Sequence, residues 1–268
     1  MAVLTVQYDS SSLSAVQTFS AILPIERKSA GSTSRSYTQG PWPTLYLLHG
    51  FSGNSMQWLY GSGIQKWAAQ YGYAVIMPSG YNSFYLDNDD TGERFGTFIG
   101  EELVEVSRKM FPLSDKREDT VIAGLSMGGF GAIRNGLRYA DTFGAILALS
   151  SALITGEVAA MTPESKGNGH APYGFYRHTF GDPRLLPGSD KDPQQLAKQC
   201  LQAGNAPRLF LACGSEDFLY DRNLAFHTWL EEIHYPHAWW VRPGKHNFDF
   251  WNLSLPAGLE WLQQSAMN

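Results

Sequence analysis

The pentapeptide Gly124-Leu125-Ser126-Met127-Gly128 sets a hydroxyl between two glycines. A serine hydroxyl attacks a carbonyl only when a base takes its proton, a carboxylate orients that base and hydrogen-bond donors receive the oxyanion. The chain offers a candidate for each part. His246, in Pro243-Gly244-Lys245-His246, follows the apolar run Trp239-Trp240-Val241 and is expected to be the general base. The orienting acid is expected after Leu209-Phe210-Leu211-Ala212-Cys213-Gly214, where Glu216 and Asp217 compete. Asp217 is favoured because a short acid in a tight loop can reach an imidazole, while Glu216 should point to solvent. Asp221 reads as a cap or dipole-stabilising carboxylate of the next helix. The backbone N–H of Met127, at the start of a helix aimed at Ser126, is expected to serve the oxyanion. Phe51 N–H, in the glycine-containing loop His49-Gly50-Phe51-Ser52-Gly53, is the expected second donor, with Ser52 the next choice.

Other reactive side chains read as structural. His49 precedes the serine and ends an apolar run, so its ring is expected to bond loop backbone. His170, His178, His227, His234 and His237 lack the position of a base; His178 is kept as a substrate contact. Trp58, just past the Phe51 loop, is expected to wall an acyl or alcohol pocket. Cys213 sits in an apolar run and, with Cys200, makes no disulfide framework. No Cys/His spacing suits zinc, so neither a metal nor a cofactor is implied.

The elements that must position these residues alternate. Strands are expected over Val3–Tyr8, Val16–Leu23, Thr44–His49, Ala74–Pro78, Thr120–Leu125, Ala145–Ser150, Arg208–Gly214 and Ala238–Arg242. Helices are expected over Ile64–Tyr71, Ile99–Phe111, Gly128–Tyr139, Pro193–Gln202, Asn223–His234 and Leu255–Gln264. That alternation predicts an α/β protein with a mostly parallel sheet of about eight strands and helices on both faces. Ser126 then falls at a strand-to-helix turn, a nucleophile elbow, and the order Ser126, Asp217, His246 is that of the α/β-hydrolase fold. The whole chain, 1–268, reads as one domain. Lys28–Gly40 reads as a surface loop, and the Gly/Pro-rich stretch 152–190 as a cap or lid insertion.

Bulk properties narrow the classes. Apolar residues at 43% and charged residues at 17% describe a globular chain, and a formal charge of −5 with scattered Lys and Arg argues against nucleic acid. No apolar run is long enough to span a bilayer and no leader is evident, so no membrane partner is expected. The chain is read as cytoplasmic, or as a mature chain whose leader was removed. A small-molecule ester is the expected partner, and a homo-oligomer is left open.

Leu47-Leu48-His49-Gly50-Phe51-Ser52-Gly53-Asn54, Ala123-Gly124-Leu125-Ser126-Met127-Gly128-Gly129 and Pro243-Gly244-Lys245-His246 resemble the esterase D family, and within it bacterial tributyrin esterases. Met77–Tyr85 and Gly188–Pro193 extend the likeness over most of the chain. The resemblance implies a serine carboxylesterase for short-chain acyl esters, with catalytic roles on Ser126, Asp217 and His246 and oxyanion donors at Phe51 and Met127. S-formylglutathione hydrolases belong to the same broad family, but the Thr-Cys-containing loop expected of them is replaced here by Phe51-Ser52-Gly53-Asn54. Feruloyl or acetyl-sugar esterases, acyltransferases of the mycolyltransferase type and a non-catalytic binding module on the same fold are the alternatives.

Overall fold

A computed structural model describes residues 1–25, 39–167 and 169–264. The loop expected over Lys28–Gly40 therefore lies outside the described residues, apart from Gln39 and Gly40.

Eight strands form one sheet in the order β1-β2-β4-β3-β7-β8-β9-β10. They are β1 (Ala2–Ser10), β2 (Ala15–Leu23), β3 (Thr44–Leu48), β4 (Ala74–Pro78), β7 (Thr120–Leu125), β8 (Ala145–Leu149), β9 (Arg208–Gly214) and β10 (His237–Arg242). β2 pairs antiparallel with β1 and β4, and every other neighbouring pair is parallel. A two-stranded ribbon, β5 (Asp87–Asn88) with β6 (Glu93–Arg94), stands apart from it.

The central strands are apolar runs because both their faces are covered. Alternate residues sort into two cores: Tyr46, Leu48 and Ile122 into one, Leu45, Leu47, Val121 and Ala123 into the other. The first core is closed by α3 (Phe95–Thr97), a π-helical turn (Phe98–Glu102), α4 (Leu103–Met110), α5 (Met127–Arg138), α8 (Pro193–Ala203) and α9 (Tyr220–Glu232). The second is closed by α1 (Gln57–Gly61), α2 (Ile64–Tyr71) and α10 (Phe248–Gln264). The expected α/β-hydrolase architecture is thus present.

Between β8 and α8 the chain forms α6 (Thr155–Ala159), α7 (Tyr173–Phe180) and a 3₁₀ turn at Pro183–Leu185. Helix α7 is seated by aromatics: Phe180 packs 4.9 Å from Phe84 and 5.7 Å from Phe130, ring centre to ring centre. At the end of this segment Asp190 pairs at 2.7 Å with Arg134, a guanidinium of α5 with no solvent exposure. Arg134 also donates to Asp190 O and to Asn135 Oδ1.

The strand order sets where a ligand can bind. From β3 the chain moves one way to β4, then returns to the other side of β3 as β7. The connections leaving β3 and β7 diverge, opening a crevice at their carboxyl ends, the usual ligand position in such sheets.

Candidate active site

Strand β7 ends at Leu125 and helix α5 begins at Met127, so Ser126 alone makes the turn, with φ 56° and ψ −118°. Such a conformation costs on the order of 1–3 kcal/mol in a non-glycine residue and persists only where its surroundings fix it. Ser126 N–H donates to Leu149 O at 2.9 Å, and Ser126 O accepts from Ala152 N–H at 2.9 Å and Phe130 N–H at 3.1 Å. The flanking glycines are obligatory. A Cβ on residue 124 would lie 2.2 Å from Gly128 O, and one on residue 128 would lie 2.5 Å from His49 O.

Three loops at the carboxyl ends of the sheet bring the polar side chains together. Past β10, His246 sets Nε2 2.9 Å from Ser126 Oγ. Its Nδ1 lies 3.0 and 2.9 Å from the two carboxylate oxygens of Asp217, past β9. With Nδ1–H donated to Asp217, Nε2 is left as the lone-pair nitrogen facing Ser126 Oγ. Phe218 packs on the imidazole at 4.5 Å and Trp251 meets it edge-on at 5.0 Å, fixing the ring plane.

The Asp217 carboxylate is wholly enclosed and also accepts from Leu219 N–H at 2.8 Å. Burial pushes its pKa up, but hydrogen bonds from His246 and Leu219 N–H outweigh that and hold the carboxyl below its ordinary range. The competing Glu216 is exposed, and Asp221 lies in the first turn of α9.

Phe51 and Met127 border the same cavity as Ser126. Ser52, the other donor considered, has its amide engaged by Asn82 Oδ1 at 2.7 Å. Among the described residues, neither the Phe51 nor the Met127 N–H donates to a protein group. The loop is pinned from below by His49, whose Nδ1 bonds Gly50 O at 2.7 Å and whose Nε2 accepts from Gly80 N–H at 2.8 Å. Tyr85 Oη donates to His49 O at 2.9 Å. Burial lowers the His49 pKa to about 4, so the ring is neutral, as its accepting Nε2 requires.

The cavity at Ser126 is about 340 Å³, with Phe84, Ile154, Tyr176 and Phe218 among its apolar walls. That is near the small end of the range for ligand pockets. Two expected contacts are not part of it. Trp58 is only 1% exposed and donates Nε1–H to Leu48 O at 3.0 Å, so its ring is core beneath the Phe51 loop and not a pocket wall. His178 faces a separate groove beside the ribbon, where its Nε2 lies 3.4 Å from Glu93 Oε2 and its carbonyl accepts from Asn88. Its ring points away from Ser126 because α7 turns Tyr176 and Phe180, not His178, toward the core.

In their place His170, Phe218 and Arg222 line the cavity. The His170 and Phe218 rings stack at 5.6 Å. Residue spacing gave no signal for these three, since they converge from the β8–α8 segment and from the start of α9. Burial pushes the Cys213 thiol up to about 12, which makes it a poor nucleophile. Among the described residues no cluster of three or more His, Cys, Asp or Glu could hold a metal ion, and no helix is long and apolar enough to cross a membrane.

Comparison with known proteins identifies the family. Residues 32–262 match the family model described as "Putative esterase". An acetyl esterase of Caldicellulosiruptor saccharolyticus is 41% identical over 265 residues, which is 98% of this chain and 99% of the relative. Among solved structures, the fluorophosphonate-binding serine hydrolase FphF of Staphylococcus aureus superposes with a TM-score of 0.83 at 28% identity, covering 97% of this chain and 98% of that one. The S-formylglutathione hydrolase FrmB of the same organism gives 0.80 at 28% identity and the same coverage. The chain therefore belongs to the esterase family so described, and is an esterase D-like carboxylic ester hydrolase of the α/β-hydrolase fold.

Proposed function

We propose that this serine esterase hydrolyses short-chain acyl esters, with Ser126 as nucleophile, His246 as general base and acid, and Asp217 as the group that orients His246. Phe51 and Met127 N–H are the oxyanion donors. The observation that carries this reading is the unbroken chain of hydrogen bonds from Ser126 Oγ through His246 to the enclosed Asp217 carboxylate.

His246 Nε2 takes the hydroxyl proton as Ser126 Oγ bonds to the ester carbonyl carbon, whose oxygen becomes an oxyanion between the two amides. Collapse of this intermediate breaks the carbon–oxygen bond to the alcohol, which leaves with the proton from His246. Water then enters, gives a proton to His246 and attacks the acyl-enzyme carbonyl. Expulsion of Ser126 Oγ, reprotonated by His246, releases the acid. The Asp217 carboxylate stabilises the imidazolium in both halves without taking a proton.

The cavity supports a short acyl group, since its aromatic walls close over a volume of only about 340 Å³. The acetyl group named for the 41% identical relative is the first acyl to try. Purified protein is expected to hydrolyse 4-nitrophenyl acetate and butyrate, with rates falling along a series to decanoate. Ser126→Ala should lower kcat by at least about a thousandfold while leaving the circular dichroism spectrum unchanged. A Ser126→Ala protein as active as wild type would refute the assignment.

A further inference from the structure

A second cavity of about 360 Å³ adjoins the first, and Arg222 borders both. Leu153, Pro187 and Phe226 line the second cavity together with the polar Thr155, Glu157, Asp192 and Gln194. Arg222 Nε donates to Glu157 Oε1, and Nη1 donates to Phe218 O at 3.0 Å. The pair joins α9 to α6 at the place where Arg222 borders both cavities. Both side chains are about a third exposed, at 34% and 37%, so their mutual attraction is screened and leaves them open to a ligand. Among the described residues, Arg222 Nη2 and Glu157 Oε2 have no partner.

The side of the ester that meets this pair follows from the chemistry. This step rests on the reading of His246 as the acid that protonates the leaving alcohol, which must then lie within hydrogen-bond reach of Nε2. Phe218 packs on His246, and Arg222 is tied to Phe218 through its carbonyl. On that reading Arg222 and the second cavity are assigned to the side of the alcohol, next to His246, and not to the acyl group.

We propose that Arg222 and Glu157 recognise a hydroxyl group on the leaving alcohol, and that the second cavity receives the remainder of that alcohol. A hydroxyl accepts from Arg222 Nη2–H and donates to Glu157 Oε2, completing both groups at once, whereas an alkyl chain of equal size leaves both unmade. An anionic alcohol is disfavoured because Glu157 and Asp221 already stand beside the guanidinium.

The test compares isosteric acetates that differ by one hydroxyl: 2-hydroxyethyl, 3-hydroxypropyl and 4-hydroxybutyl acetate against propyl, butyl and pentyl acetate. The quantity read is the ratio of kcat/KM within each pair, so a general loss of activity cancels. Wild type is expected to favour the hydroxylated partner about tenfold or more at one length at least. That ratio should fall toward one in Arg222→Gln and in Glu157→Leu, and the double variant should lose little beyond either single change. A ratio near one in wild type at every length, or a ratio unchanged in either single variant, overturns the proposal. A preference for 3-acetoxypropanoate over its neutral isosteres does so as well, by assigning Arg222 to an anion. Hydrolysis of the alkyl acetates by wild type and not by Ser126→Ala keeps the esterase reading intact whatever these ratios are.

Discussion

At the scale of single residues, His49 shows how a group outside the hydrogen-bonded Ser126–His246–Asp217 chain governs the site. Its neutral ring spans Gly50 O and Gly80 N–H, holding the segment that carries Phe51 N–H. Because burial lowers its pKa from 6.5 to about 4, the unfolded chain binds a proton there that the folded chain refuses. Stability from this residue is therefore complete above about pH 6.5, declines as the pH falls toward 4 and changes no further below it. The loss amounts to roughly 3 kcal/mol across that window. His49→Gln, which keeps an acceptor but cannot titrate, should flatten the slope of unfolding free energy between pH 6.5 and 4 in denaturant melts. An equal slope in both proteins would remove His49 from this role.

At the scale of elements, the segment between β8 and α8 is held to α5, the helix that follows Ser126, by Asp190 and Arg134. Asp190 is half-exposed and Arg134 is not exposed at all, so removing the carboxylate strands a buried guanidinium. Asp190→Ala is expected to cost about 3 kcal/mol, seen as a lower denaturation midpoint, whereas Asp192→Ala, which removes the α8 cap to Gln194 N–H and an exposed bond to Gly188 N–H, should cost less, about 1 kcal/mol.

Legibility also differed by element. All eight sheet strands, and the Ser126, Asp217 and His246 loops, are legible: the central parallel strands, buried on both faces, leave compact apolar runs bounded by Gly and Pro, and antiparallel β1 shows the alternation of a strand with one exposed face. The sequence marks helix α10 only from Leu255, seven residues past its start, because Pro256 lies inside it and interrupts the helical pattern. α1, α6 and the β5–β6 ribbon are too short to show a period. Trp58 and His178 were misplaced for a related reason: closeness to the Phe51 loop in sequence, or membership of the inserted segment, says nothing about which way a side chain turns. Arg222 was passed over because α9 was expected to begin one residue beyond it.

At the scale of the whole molecule, the proposed active site belongs to no single part of the fold. Phe51 follows β3, Ser126 follows β7, Asp217 follows β9 and His246 follows β10. Reactivity toward a fluorophosphonate probe should therefore vanish in step with global unfolding. Probe labelling at Ser126 and far-UV circular dichroism are expected to share one midpoint along a urea series. Labelling lost well before the dichroism would mean that the loops can come apart while the sheet persists.

The same arrangement divides the protein's surface for practical use. Since every group of the proposed site hangs from the carboxyl rim of the sheet, the connections at the amino rim stand clear of it. Asp141, Gly204 and Pro236 are exposed on such connections, entering β8, β9 and β10. A linker attached at any of the three fixes the enzyme to a bead or electrode with its mouth turned outward, leaving the path of an incoming ester clear.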